Sequence, residues 1–169
     1  MQAVKARQHE ERRAIHAGLQ RQTHLGVGMM VFERLTTQED HAQHRSHREE
    51  AELATTIAYQ ACEDEADEHY ADIAAMAEEL RALRDWQGNP YKLVGLPLPK
   101  AIHDADDGRR LPAGYANFLI MNGAVLVPVY GQALDEVALS RLRPLFPGRE
   151  VIGIDCNALI QQYGGLHCV

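Results

Sequence analysis

Two residues, Asn122-Gly123, separate the apolar runs Ala116-Asn117-Phe118-Leu119-Ile120-Met121 and Ala124-Val125-Leu126-Val127-Pro128-Val129. A two-residue hairpin turn needs positive φ at both central positions, which Asn and Gly tolerate. The pair therefore predicts two antiparallel strands on a tight turn. Pro128 has no N–H to give to a ladder and marks a strand end or edge. A helix is predicted from about Leu134 to Leu142, with Leu134, Val137, Ala138, Leu142 and Leu145 on its inner side and Pro144 and Pro147-Gly148 closing it. Glu150-Val151-Ile152-Gly153-Ile154 reads as the next strand, and Cys156–Gln162 as a short helical or turn segment. The order is a ββαβ unit, and mixed strands and helices around one sheet place the chain in the α/β class.

Upstream, Thr56-Ile57-Ala58-Tyr59-Gln60-Ala61 reads as a strand, followed by the acidic run Glu63-Asp64-Glu65-Ala66-Asp67-Glu68. Acidic residues suit a helix start, where they face its positive end. A helix is predicted from about Glu68 to Trp86, with Tyr70, Ile73, Met76, Ala77, Leu80 and Leu83 on one stripe and Gln87-Gly88-Asn89-Pro90 stopping it. Tyr91–Leu96 is a second strand ended by Pro97 and Pro99, and Ile102–Pro112 a polar connection. Its aspartates, Asp104, Asp106 and Asp107, lack the ligand order of an EF-hand and read as a solvated loop.

Residues 1–54 differ in texture and hold six of the nine histidines, so they are set apart from 55–169 as a poorly specified segment. Ala3–Gln22 and about Gln38–Leu53 have helical composition without a clean apolar stripe, and Gly26-Val27-Gly28-Met29-Met30-Val31-Phe32 between them reads as a strand. On a helix His41 and His44 share a face, but Arg45 and Arg48 oppose a cation there. The His41, His44 and His47 series therefore reads as a solvated polar face.

A formal net charge of -7 argues against a general nucleic-acid binder and is compatible with a cationic substrate. The three cysteines, Cys62, Cys156 and Cys168, have no CxxC spacing, which argues against a disulfide framework or a thiolate zinc site and fits a reducing cytoplasm. The sequence shows no signal-peptide pattern and no apolar run near the roughly 20 residues of a membrane span, so no membrane partner is expected. Gly164-Gly165-Leu166-His167-Cys168-Val169 is the stretch most suited to chemistry. Glycines let the backbone turn and approach a ligand, and a thiol beyond such a turn is presented rather than packed away. The alternative is an inert structural cysteine.

Four stretches in order carry a resemblance. They are Arg110-Leu111-Pro112-Ala113-Gly114-Tyr115-Ala116-Asn117-Phe118, Asn122–Pro128, Phe146-Pro147-Gly148-Arg149-Glu150-Val151-Ile152-Gly153-Ile154-Asp155, and Gly164–Cys168. Together they resemble the C-terminal part of agmatine deiminase, a relative of the microbial peptidylarginine deiminases, from about Thr55 onward. The resemblance implies a pentein-like α/β propeller of five ββαβ units, of which this chain holds about the last two. It also implies conversion of the agmatine guanidinium to N-carbamoylputrescine and ammonia, in putrescine biosynthesis, with no metal or organic cofactor. Intact family members commonly form homo-oligomers, so the resemblance admits a homo-oligomer here, although their contact surfaces need not survive in this chain.

By the same resemblance Cys168 is the nucleophile, with Gly164 and Gly165 forming a backbone turn at the substrate. A guanidinium carbon is a poor electrophile, and a thiolate that forms a covalent amidino-thioether splits the reaction into two easier steps. Two carboxylates should grip the guanidinium and a histidine should shuttle protons. The family supplies these upstream, in part from a Gly-His-x-Asp motif that this sequence does not contain; His47-Arg48-Glu49 is its nearest imitation. His167 reads as structural, because in an extended backbone its side chain points away from that of Cys168. Family members continue for a short tail past the cysteine. The chain is therefore expected to be an incomplete deiminase, its first 54 residues either a frameshift product or a fused segment. Alternative readings are an arginine or peptidylarginine deiminase, or a non-catalytic interaction module whose exposed sheet edges self-associate or bind a partner.

Overall fold

The structure, a computed structural model, describes residues 56–85 and 87–168; the side chain of Cys168 lies outside the described part. The elements expected within residues 1–54, the histidine series among them, and the helix end at Trp86 also lie outside the described residues. Strand β1 (Thr56–Ala61) leads to helix α1 (Tyr70–Ala82) and to strand β2 (Lys92–Pro97), which pairs parallel with β1. Strands β3 (Leu119–Met121) and β4 (Ala124–Val129) form the predicted hairpin. Helix α2 (Leu134–Leu142) then carries the chain to β5 (Glu150–Asp155), parallel to β4, and short 3-10 turns follow at Leu159–Gln162 and Leu166–Cys168. The β3-β4-α2-β5 order is the ββαβ unit read from the sequence.

Strand β1 is buried on both faces. Its period of two sends Ile57 and Tyr59 to α1, where they meet Ile73, Met76, Ala77 and Leu80. Ala58 faces the other way, into a larger core with Leu96, Phe118, Val125, Val127 and Leu142. The β1-β2 sheet thus separates two apolar layers. Helix α2 lies against both β2 and β5, and Arg141 donates to the Gly95 carbonyl at 2.7 Å, tying that helix to the first sheet.

Several boundaries differ from the sequence reading. Strand β2 is displaced by one residue, Lys92–Pro97 against Tyr91–Leu96, so Pro97 lies within it rather than after it, and β5 runs one residue further, to Asp155. Helix α1 begins at Tyr70 and ends at Ala82, shorter than Glu68–Trp86, because the residues before it are held by side chains. Asp67 accepts the His69 N–H at 2.9 Å. At the other end Leu83 is extended, and Arg84 bridges to Pro90. Strand β3 starts at Leu119 rather than Ala116, since residues 114–118 fold into a turn that bonds elsewhere. Pro128 lies in the central strand of its sheet, but beyond the last pair with β3, Leu119 with Leu126, so its missing donor leaves no β3 acceptor unmet.

At the hairpin, Gly123 has φ 80°, with open space where a Cβ would stand, whereas Asn122 is not at positive φ, so only one of the two central positions is left-handed as expected. Gly123→Ala is expected to cost about 1 kcal/mol through backbone strain alone. A urea midpoint shift with an unchanged slope would show this; an unaltered midpoint would refute it.

Candidate functional site

The motif Arg110–Phe118 forms a hub on the larger core, to which it gives Leu111, Tyr115, Ala116 and Phe118. Gly114 donates its N–H to the Tyr130 hydroxyl at 2.9 Å, and Tyr130 lies 5.7 Å, centroid to centroid, from the Tyr115 ring. The Tyr115 hydroxyl donates to Asp135 Oδ1 at 2.6 Å. Asp135, in the first turn of α2, also accepts the N–H groups of Tyr130 at 3.1 Å and Gln132 at 2.9 Å. Burial pushes the Tyr130 phenol up to about 12. Burial, then the bond to the Asp135 carboxylate, raises Tyr115 as well. Both phenols stay neutral near pH 7 and serve as fixed hydrogen-bonding groups rather than acids.

From this hub Asn117 reaches the C-terminal stretch. Its Oδ1 accepts the His167 N–H at 2.6 Å. Gly165 is buried against the same side chain: a Cβ there would stand 2.5 Å from Asn117 Cγ and 2.7 Å from Oδ1. The glycine permits this close approach. The left-handed residue of the segment is Tyr163, with φ 59° and ψ 22°. The Tyr163 N–H closes the preceding 3-10 turn on the Ile160 carbonyl at 3.0 Å. The Arg109 guanidinium lies 4.5 Å from the centroid of its ring.

Cys168 ends the 3-10 turn Leu166–Cys168, which lies beside β4. The backbone there is turned rather than extended, so the alternation of a strand does not set the direction of the His167 side chain as expected. The His167 side chain is exposed while its amide is held. Burial raises the thiols of the other two cysteines, Cys156, fully buried, and Cys62, half-buried. Both are thereby moved away from the reactive thiolate form. Among the described residues no group of three or more His, Cys, Asp or Glu side chains could hold a metal ion. No helix among them is long and apolar enough to cross a membrane.

Arg110 closes the hub on its other side. Its guanidinium takes both carboxylate oxygens of Asp67 at 2.9 Å, and Glu68 Oε1 at 3.0 Å. The hydrogen bond from Arg110 is the main cause holding the Asp67 carboxyl below its ordinary value. Nothing in the spacing of the sequence marked Asn117 or Arg110 as partners of distant segments; their place inside one motif was the signal available.

The family described as Porphyromonas-type peptidyl-arginine deiminase matches residues 7–169, so the match includes most of the segment that the sequence reading set apart. A Marinomonas protein provisionally named an agmatine deiminase is 31% identical over 67% of this chain and 35% of its own length. A Porphyromonas gingivalis structure provisionally named an arginine deiminase shares 58% identity and a TM-score of 0.65, covering 69% of this chain and 34% of that one. The C. jejuni agmatine deiminase superposes with a TM-score of 0.61 at 41% identity, over 68% and 32%, and a cysteine-to-serine variant of it was solved with substrate bound. The chain is mixed α/β, as these structures are over the matched third. It belongs to the Porphyromonas-type peptidyl-arginine deiminase and agmatine deiminase family, and it spans about a third of the length of the curated relatives it matches.

Proposed function

We propose that this chain is the C-terminal portion of an agmatine deiminase, the last two units of a five-unit propeller, and that it carries the reaction's nucleophile, Cys168. The observation that carries the reading is the anchoring of the cysteine turn, with Gly165 and the His167 N–H both held by Asn117 of the hub. The raised thiols of Cys62 and Cys156 add support, since they leave Cys168 as the candidate thiolate. In the C. jejuni protein a variant with serine in place of a cysteine is found with substrate bound, which fits a cysteine needed to react rather than to bind.

The chemistry proceeds in two steps. The Cys168 thiolate attacks the guanidinium carbon, and the tetrahedral adduct expels one nitrogen as ammonia after protonation. The amidino-thioether left behind is attacked by water, and the thiolate departs as the ureido product, N-carbamoylputrescine, forms. No metal or organic cofactor takes part. Two carboxylates for the guanidinium and a proton-transferring histidine are also required, and the Gly-His-x-Asp motif that brings the histidine and one carboxylate is not in this sequence.

The isolated chain is therefore expected to release little or no ammonia from agmatine; rapid release that Cys168→Ala abolishes would refute this. The role of Cys168 is tested in a chimaera in which residues 55–169 replace the matching third of the C. jejuni enzyme. Agmatine turnover is expected there, falling by at least about 10³-fold in Cys168→Ala. Turnover that survives the substitution removes the nucleophile assignment. A second reading, arginine or peptidylarginine as substrate, is favoured by the family's description and by the 58% identity to the P. gingivalis protein. Agmatine lacks the arginine carboxylate, so the same chimaera assayed with both compounds separates the two.

A further inference from the structure

The last turn of the chain rests on one side chain. Asn117 lies in the hub, fifty residues upstream of the His167 amide it holds at 2.6 Å. Three atoms of its carboxamide stand within 2.7 Å of the place a Cβ would take on Gly165. Its own N–H returns to the Gly114 carbonyl at 3.4 Å, and its neighbours Ala116 and Phe118 are fully buried. The Asn117 backbone is thereby fixed by the core, and a short side chain on a fixed backbone carries that rigidity to the turn. His167 is exposed, so its amide has water as a competing partner. That the amide bonds to Asn117 instead gives residues 165–168 one position relative to β4.

We infer that Asn117 is the positioning residue of the deiminase nucleophile, and that Gly165 is its obligatory counterpart: the carboxamide sets where the Cys168 backbone stands, and only a residue without a Cβ admits it. This role rests on the reading of Cys168 as nucleophile. The two contacts themselves do not, and they are tested separately. An alanine at 165 is accommodated at the lowest cost by swinging the short carboxamide aside, because the clash is with side-chain atoms and not with backbone. That swing removes the acceptor from the His167 N–H. Gly165→Ala should thus reproduce Asn117→Ala without touching Asn117, and should add little when both are changed.

The experiment uses the full chain. Amide exchange at His167 is followed by NMR, and the urea midpoint of each variant reports whether the core is intact. Asn117→Ala is expected to speed His167 exchange roughly tenfold, the loss of one hydrogen bond. Gly165→Ala should do the same, the double variant should match either single, and Asn117→Asp, which keeps a planar oxygen acceptor, should restore protection. Unchanged exchange in both single variants overturns the contact and with it the inference. The functional arm measures iodoacetamide alkylation of Cys168 by peptide mass spectrometry, against the free peptide Gly-Gly-Leu-His-Cys-Val. In the wild-type chain Cys168 should react roughly fivefold or more faster than in the peptide, and Asn117→Ala should bring it to the peptide rate. A fast Cys168 that stays fast in Asn117→Ala overturns the positioning role alone. A wild-type rate equal to the peptide's, with exchange behaving as expected, overturns the nucleophile reading instead, while the contact stands.

Discussion

Phe118→Ala is expected to lower the stability of the folded chain by about 3–5 kcal/mol, the usual cost of an aromatic side chain removed from a closed core. Phe118 is fully buried and meets Phe146 edge-on, with centroids 6.0 Å apart and planes at 76°. The pair adds about 0.5–1.5 kcal/mol beyond the area it buries. Phe118 also joins the hub to strand β3, and it shares its core with Leu96 of the first sheet and Leu142 of α2. The cavity would open inside the larger core, among residues of β2, β4 and α2, with no single element free to collapse into it. A domain of this size has total stability of roughly 5–15 kcal/mol, so the variant should sit near its unfolding midpoint under mild conditions. Urea denaturation checks this. A midpoint that reports a loss under about 1 kcal/mol would mean that the site repacks and that the hub is looser than its burial indicates.

The second large effect belongs to Arg110. The side chains of Arg110 and Asp67 are 15% and 14% exposed, so removing the guanidinium strands a mostly buried carboxylate. Arg110→Ala is expected to cost about 2–4 kcal/mol near pH 7. Glu68, at 63% exposure, contributes little to that figure. The pH dependence has a definite sign. Arg110 lowers the Asp67 carboxyl in the folded state, so the pair's stabilisation is fully present above the unfolded value of about 4. It is lost as pH falls through the lowered folded value, because the folded state must then take up the proton that breaks the pair. The stability gap between wild type and Arg110→Ala should therefore be flat from pH 5 to 7 and narrow below about pH 4. A gap that persists unchanged at pH 2 would show that the arginine acts through its packing and not through its charge.

Local chemistry made much of this fold legible. Asn122-Gly123 placed the hairpin, and strand β4 and helix α2 have the bounds read from the apolar pattern. Strand β1 was equally clear, since an uninterrupted run of buried residues ended by an acidic stretch leaves few other solutions. The misplaced ends have a common cause. Helix α1 starts two residues late because Asp67 is committed to Arg110 and to the His69 amide. Strand β3 starts three residues late because Ala116, Asn117 and Phe118 belong to the hub. In each case the residues at the element's start bond within a local turn that is itself tied to a distant segment, by Arg110 at α1 and by His167 at β3.

The candidate site divides the same way. The sequence by itself determined the family, since four motifs in order limit the reading to few alternatives. It also determined the residue types at the hub. Only the tertiary structure decided what those residues do. Gly165 reads as a turn residue in sequence, and the structure adds a contact that sequence could not show, since Asn117 stands where its Cβ would be. The physical reason is range. Turn chemistry and amphipathic spacing act between neighbours in the chain and can be read from a window of a few residues. A hydrogen bond from the His167 amide to Asn117, or a guanidinium on Asp67, depends on the sheets and helices having already brought distant segments within 3 Å.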